Sequence, residues 1–230
     1  VGGPGDNSFN DAAQSGLRVA VSELKFTLET TVTSGDEKDR RDRLTALVRK
    51  GCAIVIAVGS AYASTLKQLS QEFPEQQFAI LNNATVDALN VTSIAFADVQ
   101  GAYLAGFSAA LASKSGRVAM IGNPSDKVLF NKGFLPGARA AKKSITATHR
   151  SVSGSATSTT SALLRSGHDV IYLAITGSAT DVFSVIAASN RGGKTRSSAG
   201  LITQEPDQFL TVDAASKKFL LATVVKRVDL

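Results

Sequence analysis

The sequence predicts an α/β protein with two Rossmann-like lobes, each built on a parallel sheet, and a hinge between them. Short apolar runs alternate with helical patterns along all 230 residues, as in proteins with parallel sheets. The runs at 54–58, 118–121 and 170–175 are nearly continuous, which is typical of strands buried on both faces. The chain also repeats part of its own pattern.

The elements follow from this alternation. Strands are predicted at 25–32, 52–58, 77–82, 92–97, 117–122, 169–175, 198–203 and 219–225. Helices are predicted at 8–24, 38–50, 60–73, 99–115, 127–143, 156–167 and 178–191. In the helix 99–115, Tyr103, Leu104, Phe107 and Leu111 form one apolar face, the side that an amphipathic helix turns to the core.

Two pairs of segments carry the repeat. Residues 8–20 match 129–141 at an offset of 121, with Phe, Asn, Gly and Arg in the same places. Residues 54–66 resemble 170–183, with Gly59-Ser60 matching Gly177-Ser178 at an offset of 118. We interpret this as a duplicated lobe, although unrelated strand–turn–helix units also look alike. The predicted division is an N-terminal lobe over 1–97, a C-terminal lobe over 98–223, and a return crossing over 224–230.

The repeat also predicts an incomplete chain. The strand 117–122 precedes the second copy of the pattern, and the offset puts its partner ahead of Val1. We therefore expect this chain to lack the first strand of its N-terminal lobe.

Composition argues against several classes of site. The formal charge is +6, but the basic residues are scattered and aromatic residues make up only 6%, so solvated faces are favoured over a nucleic-acid surface. Cys52 is the only cysteine, and His149 and His168 have no partners at metal-ligand spacing, so we expect no metal and no cofactor. No apolar run approaches the roughly 20 residues of a membrane span.

The opening stretch VGGPGDNSFN is a glycine-rich turn that leads into a helix at Ser8. Such turns usually bind phosphate, but Asp6 would repel it and no lysine follows. A carboxylate there accepts hydrogen bonds from a neutral polar ligand, or Asp6 and Ser8 only cap the helix. Phe9 could stack on a flat ring, or belong to the core.

Turns follow the predicted strands at the places where ligands bind to parallel sheets, beyond the carboxyl ends. They lie at 1–8, 59–61, 122–126, 176–179 and 204–208. Two lobes with such turns are typical of binding proteins that close by a hinge. The turns contain no pair of nucleophile and base, so we expect a binding protein and not an enzyme.

Several segments resemble one family. GDNSFNDAAQSGL (5–17), residues 95–123, ALVRKGCAIVIAVGS (46–60) and LLATVVKRVD (220–229) are similar to the basic membrane protein family. These are purine-nucleoside-binding lipoproteins of bacterial ABC importers with the type I periplasmic binding protein fold. The resemblance implies a chain that also lacks its C-terminal part.

The resemblance implies a nucleoside site in the cleft between the lobes. Matched by position, its residues would be Asp6, Phe9, Asn10, Gly59, Ser60, Gly177, Ser178, Glu205, Asp207 and Lys226. Glu205 stands where the family usually has an aspartate for the ribose. Tyr172 and Phe183 are candidates for a second stacking ring.

The implied partners are a purine nucleoside and an ABC permease, with no nucleic acid. The implied location is outside the cytoplasm, on the membrane through a lipid anchor that this chain does not contain. Two alternatives stay open: a ligand-sensing regulator of the same fold, and a nucleoside hydrolase or phosphorylase.

Overall fold

The strands of the protein form two separate parallel sheets. The computed structural model describes residues 3–5, 9–152, 154–175, 179–191, 198–205 and 207–228. Packing divides the chain into one unit of Val1–Phe96 with Arg227–Leu230, and a second unit of Ala97–Lys226. The predicted lobe boundaries, after 97 and after 223, stay a prediction.

The first unit has a three-stranded sheet with the order β1-β2-β3. Its elements are α1 (Phe9–Leu24), α2 (Glu37–Arg49), β1 (Ile54–Val58), a 3₁₀ turn (Ser60–Tyr62), α3 (Ala63–Glu72), β2 (Gln77–Leu81) and β3 (Val91–Ile94). The side chain of Asp36 accepts from the Asp39 amide at 2.7 Å and so caps α2. The core contains Leu44 from α2, Leu66 and Leu69 from α3, and strand residues such as Phe78.

The predicted strand at 25–32 is wrong. Residues 25–34 form no strand, and Phe26 and Val32 are 40% and 49% exposed. A strand is stable through the ladder it shares with a neighbour, and no described strand pairs with this segment. The local pattern of apolar residues therefore predicted a strand, and that strand does not form because it has no described partner.

The second unit has a five-stranded parallel sheet with the order β5-β4-β6-β7-β8. Its elements are α4 (Asp98–Ala112), β4 (Arg117–Gly122), a 3₁₀ turn (Pro124–Asp126), α5 (Lys127–Leu129), a π-helical turn (Phe130–Phe134), α6 (Leu135–Ala141), β5 (Thr146–Ser151), α7 (Ala156–Arg165), β6 (Val170–Leu173), α8 (Thr180–Arg191), β7 (Gly200–Gln204), α9 (Gln208–Thr211), α10 (Ala214–Lys217) and β8 (Leu220–Val224). The central strands are buried on both faces, with Met120 and Tyr172 in one core and Ile121 and Leu173 in the other.

Sequence reasoning missed three of these elements for a common reason. Strand β5 has the polar sequence TATHRS, because it is an edge strand that pairs only with β4. Helices α9 and α10 have four residues each and begin at capping carboxylates of Asp207 and Asp213. None of the three has the apolar periodicity from which elements are predicted.

The face of α4 that was predicted to pack on the core is largely exposed. Leu104 and Leu111 are 64% and 66% exposed, whereas the buried face consists of Ala102, Ala105, Gly106, Ala109 and Ala110. Small residues are needed there because α4 packs backbone to backbone against the π-helical turn and α6. A Cβ atom on Gly106 would overlap the carbonyl group of Phe134.

A buried carboxylate fixes the amino-terminal edge of the second sheet. Asp169 is 2% exposed and accepts hydrogen bonds from the Ser113 hydroxyl at 2.6 Å and from the amides of Lys114 and Ser115 at 2.8 and 2.7 Å. These bonds hold the turn between α4 and β4. In the described residues, no helix has the length and apolarity to cross a bilayer.

Candidate functional site

The strands of the first sheet all end at one edge, because they are parallel. Strand β1 leads into Gly59, which has φ 109° with no atom within 4 Å of a Cβ position. The conformation, and not crowding, therefore requires glycine there. The Gly59 amide donates to the Leu81 carbonyl at 3.1 Å, so the turn that contains Gly59 and Ser60 is fixed to the end of β2.

The next strand end was not predicted to belong to the site. Asn82 follows β2 with φ 64°, a left-handed conformation that asparagine tolerates better than most residues. Its amide donates to the Ile94 carbonyl at 2.7 Å. The signal in the sequence is the asparagine pair 82–83 directly after an apolar strand.

Two aromatic rings meet at this edge of the first unit. Phe9, the first residue of α1, and Phe96, just after β3, have ring centroids 5.7 Å apart with an interplanar angle of 85°. Both residues are half-buried, so neither belongs to the fully buried core. Phe96 was missed by sequence reasoning, although its place after a parallel strand could have indicated it.

The rest of the opening turn is described in part. Asn10 follows Phe9 on the first turn of α1 and is half-buried. The Gly5 amide donates to Asp11 Oδ1 at 2.7 Å, which ties the turn to the helix. Asp6 and Ser8 lie outside the described residues.

In the second sheet, the order in which the strands are added reverses at β4. Strand β4 pairs with β5 on one side and β6 on the other, and crevices at such points bind ligands in open α/β sheets. After β4, the Asn123 amide donates to Asp126 Oδ2 at 2.6 Å. The turn after β6, with the predicted Gly177 and Ser178, lies outside the described residues.

Three charged side chains converge at the carboxyl ends of β7 and β8. Glu205 is 5% exposed and accepts from the Lys226 amide at 2.8 Å. Lys226 Nζ lies 2.9 Å from Asp98 Oδ1, and the Lys226 side chain is 12% exposed. We call Glu205, Lys226 and Asp98 the charged triad. The sequence predicted its first two members and missed Asp98, which only the fold brings to Lys226.

Burial and the contact with Lys226 shift the pKa of Glu205 in opposite directions. Burial raises the pKa of its carboxyl group, while the N–H group and the charge of Lys226 oppose that rise. A buried carboxylate of this kind is costly unless it accepts hydrogen bonds. Glu205 is therefore suited to accept a hydrogen bond from a ligand hydroxyl group.

The two residues after Pro206 have structural partners. Asp207 Oδ1 accepts from the Phe209 amide at 3.0 Å and caps α9. Gln208 is 1% exposed, and its side-chain oxygen accepts from the Ala179 amide at 3.3 Å. Asp207, a predicted site residue, has this capping role in the structure.

Neither predicted candidate for the second stacking ring is accessible. Tyr172 is 2% exposed and Phe183 fully buried. Tyr172 stacks on Phe134 at 5.9 Å and donates to Gln204 Oε1 at 3.1 Å. Tyr172 lies on β6 and Phe183 on α8, and both rings are buried in the core of the second unit, so a ligand cannot stack on them.

No described group of three or more His, Cys, Asp or Glu residues is placed to hold a metal ion.

A cleft of about 520 Å³ opens between α8 and residues 215–219. It lies toward the C-terminal end of α8 and the start of β8, so it is distinct from the strand ends that carry the charged triad.

The comparisons with known proteins concern the family and the fold. A nucleoside-binding protein of an ABC transporter, BmpA from Lactococcus lactis subsp. cremoris, is 30% identical over 98% of this chain and 69% of its own length. A solute-binding protein of an ABC transporter system from Aeropyrum pernix K1 has a TM-score of 0.75 at 24% identity. This chain is fully covered in that match and spans 65% of the Aeropyrum chain.

Another solved structure has the same fold and a different description. A transcriptional activator of the comK gene from Bacillus halodurans has a TM-score of 0.70 at 23% identity, over 96% of this chain and 74% of its own. The fold is thus the two-unit α/β fold of periplasmic binding proteins, as predicted. The family of PnrA-like ABC transporter substrate-binding proteins, Bmp, matches residues 1–230, and the chain belongs to this family.

Proposed function

We propose that this chain captures a purine nucleoside outside the cytoplasm and delivers it to an ABC importer. The observation that carries the proposal is the pair of Phe9 and Phe96, half-buried at the carboxyl edge of the first sheet. Stacking on an aromatic side chain contributes about 1–3 kcal/mol per base. A half-buried aromatic pair suits a flat heterocycle.

The ribose would be held by carboxylates. Glu205 is buried beside the Lys226 amide, and Asp6 is proposed as a second acceptor in the opening turn. A ligand hydroxyl group would add a hydrogen bond to the one that Glu205 accepts from Lys226, so this buried acceptor favours ligands with hydroxyl groups. Gly59, Ser60, Asn10, Gly177 and Ser178 are proposed to contribute turn contacts to the same ligand.

The proposed partners are an ABC permease and, through a lipid anchor on the full-length precursor, the cell membrane. Substrate-binding proteins of this family bind and release solutes, and we propose no catalysis for this chain. Because the fold also occurs in a transcriptional activator, a regulator of the same fold is the alternative. A lipid-modified cysteine near the start of the precursor would favour transport, and a helix-turn-helix there would favour regulation.

Binding can be tested directly with the purified chain. Inosine, guanosine and adenosine are compared with their free bases and with ribose, glucose and galactose by thermal shift and calorimetry. A nucleoside at a hundred times its Kd should stabilise the protein by about 2.7 kcal/mol, with bases and sugars far weaker. Stabilisation by a sugar and not by any nucleoside would contradict the proposal.

A further inference from the structure

Lys226 is held at both ends within the second unit. Its amide donates to Glu205 Oε1 at 2.8 Å, and its ammonium lies 2.9 Å from Oδ1 and 3.2 Å from Oδ2 of Asp98. Both oxygens of Asp98 are therefore within reach of one cation. With its side chain only 12% exposed, Lys226 has little freedom to leave this arrangement.

Asp98 is itself held in place by the fold. It is the first residue of α4, where the helix dipole stabilises a carboxylate. The same helix is packed backbone to backbone through Gly106, so its first turn cannot shift easily. The Asp98 side chain is 42% exposed, so solvent reaches its carboxylate group.

The charges of the triad determine which ligands Lys226 can attract. A lysine with a free charge is a common phosphate ligand, whereas the ion pair of Lys226 and Asp98 has no net positive charge. An incoming phosphate would also approach the carboxylate of Asp98, and like charges at close range cost free energy. A neutral acceptor on a ligand meets no such penalty and can still take a hydrogen bond from the ammonium.

We propose that Asp98 is a specificity-determining residue, which neutralises and positions Lys226 so that the site accepts uncharged nucleosides and rejects nucleotides. This inference rests on the proposed nucleoside function. It assigns to Asp98 the discrimination between two ligands that share the same base and ribose and differ in one phosphate group.

The experiment compares inosine with inosine 5′-monophosphate by calorimetry. The variants are Asp98→Asn, the conservative Asp98→Glu, and Asp87→Asn, an exposed carboxylate of the first unit that gives the same change in net charge. We expect the preference for inosine over the monophosphate to fall by about tenfold or more in Asp98→Asn. Asp98→Glu should restore most of the preference, and Asp87→Asn should match the parent protein.

A second variant and a salt series separate the charge effect from a loss of structure. Lys226→Gln should weaken inosine and leave the monophosphate weak, because it removes the cation and not the carboxylate. Monophosphate binding to Asp98→Asn should also weaken as salt rises from about 0.05 to 0.3 M, as screening requires.

The outcomes distinguish this inference from the function on which it rests. If the parent protein binds no nucleoside, the proposed function fails. If it binds inosine and Asp98→Asn keeps the parent preference, the inference about Asp98 is overturned while the function stands. An equal loss of preference in Asp87→Asn would also overturn it, because net charge would then be the cause.

Discussion

Two segments with the same sequence pattern have different structures in the two units. Phe9 begins α1, a regular helix whose only buried residue is Ala13. Phe130, 121 positions later, begins a π-helical turn and is 8% exposed. Its ring stacks on Phe134 at 6.0 Å and contacts His149 at 5.7 Å. One aromatic of the repeat is therefore half-buried, and the other belongs to the core.

Packing against α4 explains the difference. Gly133 and Gly137 touch the backbone of α4 so closely that a Cβ atom would overlap the carbonyl groups of Val99 and Tyr103. This close approach buries the segment that begins at Phe130 against α4, whereas α1 buries only Ala13. The comparison teaches that the same motif can begin a helix with few buried residues in one copy and be packed into the core in the other.

The largest expected effect comes from truncating the two aromatic side chains. Phe130→Ala should lower the free energy of unfolding by about 3–5 kcal/mol, since it leaves a cavity in the core. Phe9→Ala should change stability much less and weaken nucleoside binding by about 1–3 kcal/mol, the contribution of one stacking contact.

Urea unfolding and calorimetry measure the two effects separately. Equal losses of stability in the two variants would show that Phe9 is also a core residue. The comparison would then fail, and with it the main support for the nucleoside proposal.

A second pair of variants tests the close packing of the helices. Gly137→Ala should cost about 1–3 kcal/mol or more, because the new methyl group would overlap the backbone at Tyr103 and force α4 and α6 apart. Its counterpart Gly16→Ala lies on the half-buried face of α1 and should change stability by about 1 kcal/mol or less. Thermal unfolding of both proteins measures the contrast, which a similar loss in Gly16→Ala would remove.

The smallest expected effect is a difference in pH dependence between the units. Both histidines of the chain, His149 and His168, belong to the second unit, and burial lowers the pKa of each. The folded state therefore binds fewer protons than the unfolded state. The stability of the second unit should be complete above the ordinary histidine pKa of 6.5 and fall as the pH drops below it.

Glu205 contributes with the opposite sign, because its pKa is raised. The measurement is therefore made in Glu205→Gln as well as in the parent chain. Hydrogen exchange of peptides from each unit, corrected for the intrinsic rate, should show loss of protection in the second unit between about pH 7.5 and 5.5. An equal loss in the first unit would contradict the assignment to the two histidines.

The local sequence by itself determined most of the elements. The strands 54–58, 77–81, 117–122 and 170–173 were predictable because a buried parallel strand must be a continuous apolar run. The helices α2, α4 and α8 were predictable because their patterns persist over several turns. The opening motif and the strand-end turns also predicted a ligand site, which stays a prediction, and the family match confirms the predicted membership.

The tertiary structure decided what periodicity cannot express. Residues 25–34 form no strand because pairing depends on a neighbour, and α4 turns its large side chains outward because the glycines of a distant segment need a small-residue surface. Phe96 reaches Phe9, and Asp98 reaches Lys226, across 87 and 128 positions of the chain. Contacts at such separations are set by the crossing of strands and helices, and no local pattern of apolar and polar residues encodes them.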